Sequence, residues 1–186
     1  GGQDVTVRGA SFTNGTTVTL NALATLFSSV DSVRETVEHI EVQFLANRDS
    51  NLLFAILSDF TDADEETTPG DAAILAAADR EVRALNATYA AGGSDIFFLL
   101  HRPRRWNAAQ GVWMGWERKR GKLAEFNRFL RGGAADAFST VVGDVATLRA
   151  IYRPKAEEEQ WVTERDPIRL HGEWLLAQGH ADKAAL

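Results

Sequence analysis

Two short apolar runs, Leu52–Leu57 (LLFAIL) and Ile96–Leu100 (IFFLL), sit between amphipathic segments, and this alternation restricts the chain to few folds. Apolar runs of that length, bounded by turn residues, read as strands buried on both faces. A third run, Val18–Phe27 (VTLNALATLF), has strand length, although Ala and Asn weaken it. Between the runs, Val33, Val37, Ile40 and Phe44 recur at helical spacing, predicting a helix over about 31–46 with Ser28, Ser29 or Asp31 as its N-cap. Ile74, Leu75, Ala78, Val82, Leu85 and Tyr89 predict a second helix over 71–89, closed by Gly92 and Gly93. Leu123, Phe126 and Leu130 predict a third, from Gly121 to Leu130. Strand, helix, strand, helix, strand, helix at this spacing implies an α/β fold: a Rossmann-like parallel sheet with helices on both faces.

In such sheets ligands gather at the carboxyl ends of the strands. Asp59 and Asp62 follow one strand end and His101 to Arg105 another, so acidic and basic features should share one rim. The basic feature is concentrated. Between Arg102 and Arg131 stand nine Lys/Arg and two acids, about +7, in a chain of net charge −6, which leaves about −13 elsewhere. A basic patch on an acidic protein suits a bound anion. The alternative is a solvated basic helix face, made less attractive by Trp106, Trp113 and Trp116 in the same stretch, because large aromatics beside charges more often line a cleft.

The patch is not a phosphate-binding P-loop: five residues separate Gly115 from Gly121, and Leu123 stands where a hydroxyl is required. Gly121 and Lys122 would still open a helix, a favourable place for a diphosphate. Asp59 reads equally as a ligand to a ribose, base or metal and as a turn or cap aspartate. Glu65, Glu66 and Asp71 read as a solvated loop and first helical turn. His101 reads as structural, since no nucleophile or metal-ligand partner is spaced to use it, and His39, His171 and His180 form no metal-site pattern. With no cysteine there are no disulfides or thiolate sites, and no apolar stretch reaches membrane-spanning length. The acidic remainder makes nucleic acid the least favoured partner.

The segments HRPRRWN (101–107), GVWMGWERKRGKLAEFNRFLRG (111–132) and IEVQFLANRDSNLLFAILSDFTDA (40–63) closely resemble the glycosyltransferase region of cyclic β-1,2-glucan synthases. The resemblance covers roughly residues 25–151. It implies a partial GT-A fold of the family-2 type, with UDP-glucose as donor, a β-glucan acceptor, and a parent protein at the cytoplasmic face of the bacterial inner membrane. It further implies that Asp59 contacts the nucleotide and that Gly121, Lys122 and Asn127 form the helix-opening segment near the donor. Asp62, Arg102, Arg104, Arg105 and Lys119 then complete the polar and cationic surroundings of the departing UDP. Trp106, Trp113 and Trp116 would stack on glucose or uracil.

The resemblance fails at both ends. NALATLF (21–27) stands where the family has a strand ending in Pro-Thr, and the segment after Ile151 carries no D-x-D triplet, where the family has a metal-binding Asp-Ala-Asp. The intact family domain is expected to use Mg²⁺ or Mn²⁺; this chain alone is expected to bind neither. The expected organisation is an irregular lead over 1–24, its first 17 residues loose or an edge hairpin, a partial transferase domain over 25–151, and a divergent tail over 152–186. That tail reads either as a helix carrying Trp161, Ile168, Leu170 and Trp174 to Leu176 or as a poorly ordered extension after Pro154. The expected function is the donor-nucleotide half of a UDP-glucose-dependent glucosyltransferase, inactive by itself and touching the membrane only through other parts of its parent. The alternative is a non-catalytic glycan- or anion-binding module built on the Trp/Arg loop.

Overall fold

The computed structural model describes residues 3–11, 17–90 and 93–151. The chain divides into two compact units, Gly1–Arg153 and Pro154–Leu186, and only the first contains described residues. The tail helix expected around Trp161 to Leu176 therefore lies outside them.

The elements are β1 (Gln3–Ser11), β2 (Thr17–Phe27), α1 (Val30–Ala46), β3 (Leu52–Phe60), α2 (Asp71–Tyr89), β4 (Phe97–Arg102), β5 (Arg105–Asn107), β6 (Val112–Met114), α3 (Arg118–Leu130), β7 (Thr140–Val142) and α4 (Val145–Ile151). The main sheet has the order β1-β2-β3-β4-β7. Its centre, β2-β3-β4, is parallel, and both edges are antiparallel. This is the α/β, Rossmann-like arrangement that the alternating pattern implies. The lead is not irregular: β1 forms the edge hairpin, and β2 runs unbroken through positions 24 and 25.

Alternate side chains of β3 and β4 enter opposite layers, as a pleated strand requires. Phe54, Ile56, Phe97 and Leu99 pack against Val33, Ile40 and Phe44 of α1 and Ile74, Ala78 and Val82 of α2. Leu53, Ala55, Leu57, Phe98 and Leu100 face Phe126, Phe129 and Leu130 of α3 and Leu148 of α4. Helices thus cover both faces. α1 starts on a reciprocal cap, with Ser29 accepting from the Ser32 amide and Ser32 from the Ser29 amide.

The third helix opens earlier than its apolar spacing suggests. It begins at Arg118 rather than Gly121, entered through two consecutive left-handed residues, Glu117 (φ 51°) and Arg118 (φ 48°). Neither is a glycine, so this turn stores backbone strain that its surroundings must hold. Position 121, inside the first turn, requires glycine because a Cβ there would collide with the Trp116 carbonyl and approach Glu117 Cβ to 2.8 Å.

The parallel register of β3 and β4 has the main consequence for function. It sets Ser58 beside His101 and Asp59 beside Arg102 at the carboxyl ends of the two strands.

Candidate functional site

At that end of the sheet the fold buries a group of charges. Asp59, 1% exposed, accepts from Arg102 in a two-pronged contact, Nε to Oδ1 at 2.7 Å and Nη2 to Oδ2 at 2.9 Å. Lys122 of α3, 3% exposed, reaches the same Oδ2 at 3.0 Å and donates to the Thr25 carbonyl at 2.5 Å. Arg102 also donates to Glu125 at 2.7 Å and to the carbonyls of Trp116 (3.1 Å) and Arg118 (3.0 Å). These contacts use all five guanidinium N–H groups. Two of them end on the strained turn, so Arg102 ties the entry of α3 to the end of β3.

Asp59 and Lys122 of this group floor a cavity of about 280 Å³, walled by Thr25 and Leu26 of β2, Asp62 after β3, Gly115 after β6, and Arg118 and Lys119 of α3. The floor is open only because residue 115 is glycine. A Cβ there would lie 2.5 Å from Asp59 Oδ2 and 2.6 Å from its Cγ. At the rim, Arg118 Nη2 donates to Asp62 Oδ2 at 2.8 Å and to Gln110 Oε1 at 3.3 Å. Acidic and basic features do meet at the strand ends, but the cations at the rim are Arg118 and Lys119, whereas His101, Arg102 and Arg104 are buried.

Burial pulls the Lys122 ammonium below its ordinary range, against the opposing pull of Asp59, while Arg102 deepens the fall. Burial also works against the Arg102 charge, but Asp59, with Glu125, outweighs it and holds the guanidinium above the usual arginine range. His101, completely buried, is pushed down to about 4 by desolvation, which Asp59 only partly offsets. Its Nδ1 lies 2.9 Å from Ser58 Oγ, its ring stacks with Phe27 and meets Phe60 edge-on, and its Nε2 has no hydrogen-bond partner. It is a neutral core residue.

Several expected ligand contacts become internal supports. Arg102 has no donor left for a ligand. Arg104, 4% exposed, donates to the Thr61 carbonyl at 2.7 Å and pairs with Asp71 at 2.6 Å beneath the Phe60 ring. Asp71 is thus not solvated, as its place in an acidic loop suggests. Burial works to raise its carboxyl, but hydrogen bonds from Arg104 and Thr68 hold it below the usual carboxylate range. Arg105 is half exposed, 3.8 Å from Glu125. Asn127, five positions beyond Lys122, lies on an exposed part of α3 and does not line the cavity.

The tryptophans also lie outside the cavity lining. Trp106 and Trp113 pair across β5 and β6, ring centroids 5.9 Å apart, and Trp113 exchanges backbone hydrogen bonds with Ala63, both 2.9 Å. Trp116 borders a separate surface groove with Asn107, Met114 and Arg120. Conversely, Arg118 stands at the cavity mouth although its sequence context did not single it out. The only local signal was its position as the first cation after Glu117, before the helix glycine.

The donor set does not suit a divalent cation. Asp59 is closed in by two cations and Asp62 is held by Arg118. Asp62-Ala63-Asp64 has D-x-D spacing, yet among the described residues no group of three or more His, Cys, Asp or Glu could hold a metal. No helix among them is long and apolar enough to cross a membrane.

No family model matches the chain. Over 120 residues, 64% of the chain, it is 48% identical to the cyclic beta-(1,2)-glucan synthase NdvB of Rhizobium meliloti (strain 1021). The chain spans 4% of that relative's length. Identity at this level relates the chain to a segment of a glucan synthase.

Proposed function

We propose that residues 25–151 are the donor-nucleotide half of a UDP-glucose-dependent glucosyltransferase that makes cyclic β-1,2-glucan, with a GT-A type of sheet. The observation that carries this reading is the cavity of about 280 Å³ at the carboxyl ends of β2 and β3, between a buried Asp59 and the cations of α3. Its volume is near the lower end of the roughly 300–1,000 Å³ usual for small-molecule sites. Arg118 and Lys119 supply positive charge where a nucleoside diphosphate departs, above a Lys122 already paired with Asp59, and such fixed charge stabilises the leaving group. Arg102, Arg104 and Asp59 act through position, holding the walls in place. A β-glucan is the acceptor, and the parent protein works at the cytoplasmic face of the inner membrane.

Mg²⁺ or Mn²⁺ in the intact enzyme would add charge to the same leaving diphosphate. The described carboxylates do not provide its site, and our reading is that the 186-residue chain by itself turns over no UDP-glucose. Calorimetry with UDP and with uridine tests the binding claim. UDP should bind and uridine should bind more weakly; no heat from UDP at millimolar concentration removes the reading. Release of free UDP from UDP-glucose by the purified chain removes the claim of inactivity.

The half-exposed Trp106 (49%) and Trp116 (45%) favour a second reading, a glycan-binding module, because neither lines the cavity. Glucan binding by a chain that ignores UDP is the result that selects it.

A further inference from the structure

We propose that Asp62 is an internal competitor for the cavity's anion, holding Arg118 until a diphosphate displaces it. This deepens the donor-site reading and rests on it. Both residues line the cavity, and their 2.8 Å ion pair ties the segment after β3 to the entry of α3.

Arg118 differs from the other cations of this region in what is fixed and what is movable. Its backbone is pinned, because its carbonyl accepts from Arg102 Nη2 at 3.0 Å and Arg102 is anchored on Asp59. Its side chain is 56% exposed and, among the described residues, held by Asp62 and the exposed Gln110. A guanidinium whose origin is fixed and whose head meets solvent can exchange one oxyanion for another with little rearrangement. A diphosphate offers Arg118 the same paired oxygens as a carboxylate with more charge. Lys122 cannot exchange so readily, being buried between Asp59 and the Thr25 carbonyl.

Asp62 was expected to contact the substrate, and the geometry reverses the sign of its effect. A carboxylate that directly binds the ligand lowers affinity when neutralised. One that occupies the ligand's arginine raises it.

Titration of the full 186-residue chain with inorganic pyrophosphate and with UDP, at fixed ionic strength, separates the two. Asp62→Asn should bind both about two- to five-fold tighter, the size expected on release from an exposed ion pair. Arg118→Ala should bind about tenfold weaker or worse, and in the double variant the gain from Asp62→Asn should vanish. Asp136→Asn is the charge control: it frees Arg128 from a 2.7 Å pair elsewhere on α3 and should leave affinity unchanged. UDP binding that Asp62→Asn leaves equal or weaker overturns the competitor role while the donor site stands. An equal gain from Asp136→Asn also overturns it, by reducing the effect to net charge. No binding of UDP or pyrophosphate by any of these proteins overturns both.

Discussion

The carboxylate of Asp59 and the guanidinium of Arg102 meet edge to edge at 2.7 and 2.9 Å, 43 residues apart in sequence and adjacent in the parallel register of β3 and β4. Removing one partner of such a pair leaves an uncompensated buried charge. Asp59→Ala should therefore cost about 3–5 kcal/mol of stability in urea unfolding. Arg102→Lys should also be costly, because an ammonium cannot span Asp59, Glu125 and two carbonyls together. Wild-type stability in either variant would show that the pair contributes little to the fold.

Gly115→Ala tests the floor of the cavity. The added methyl would lie 2.5 Å from Asp59 Oδ2, and its neighbours are a buried ion pair rather than a flexible side-chain end. Overpacking of this kind costs about 1–3 kcal/mol, and UDP binding should be lost. A Gly115→Ala protein that unfolds like wild type and still binds UDP would show that the floor can yield.

His101 gives the chain a defined acid response. Its pKa falls from an ordinary value of 6.5 to about 4 on folding, so protonation favours the unfolded chain. The contribution is fully present above pH 6.5 and is lost progressively as pH falls toward 4, about 3 kcal/mol in all. Asp71, whose carboxyl is held below its ordinary value, adds loss in the same direction only at more acid pH. His101→Asn should flatten the slope of stability between pH 6.5 and 4; an unchanged slope assigns it to other groups.

Much of the fold is legible in the sequence, and the limits have physical reasons. β3, β4, α1 and α2 follow from apolar periodicity, because each buries a continuous face. The start of α3 does not, because its entry is a left-handed turn secured by Arg102 from another strand, with no side-chain cap. The β5–β6 hairpin and β7 have three residues each, too few for a period. For the site, the ends of β2 and β3 and the start of α3 bring Asp59, Asp62, Lys119 and Lys122 to one cavity, although Lys119 precedes the helix that apolar spacing marks out. Composition cannot tell an arginine that meets a ligand from one that meets a distant aspartate. Arg104 and Asp71, 33 positions apart, are the clearest instance.

The exposed indoles offer a test of the glycan-binding reading. Trp106→Ala should lower stability by at least about 0.5–1.5 kcal/mol, because it loses the Trp113 ring, and Trp116→Ala, with no such ring pair, should lower it less. If the hairpin grips glucan, either change should weaken glucan retention in affinity electrophoresis and leave UDP binding intact. Unaltered retention in both variants argues against that surface.

Asp59, Glu125, Arg102 and Lys122 carry two negative and two positive charges, so the floor is electrically silent as a unit. The net positive field met by an incoming ligand is therefore written on the rim, by Arg118 and Lys119 set against Asp62. Mobile ions reach the rim and scarcely penetrate the floor. Raising ionic strength should loosen a bound diphosphate while barely moving the unfolding midpoint, so the same cluster of charges divides into a salt-blind keel and a salt-responsive mouth.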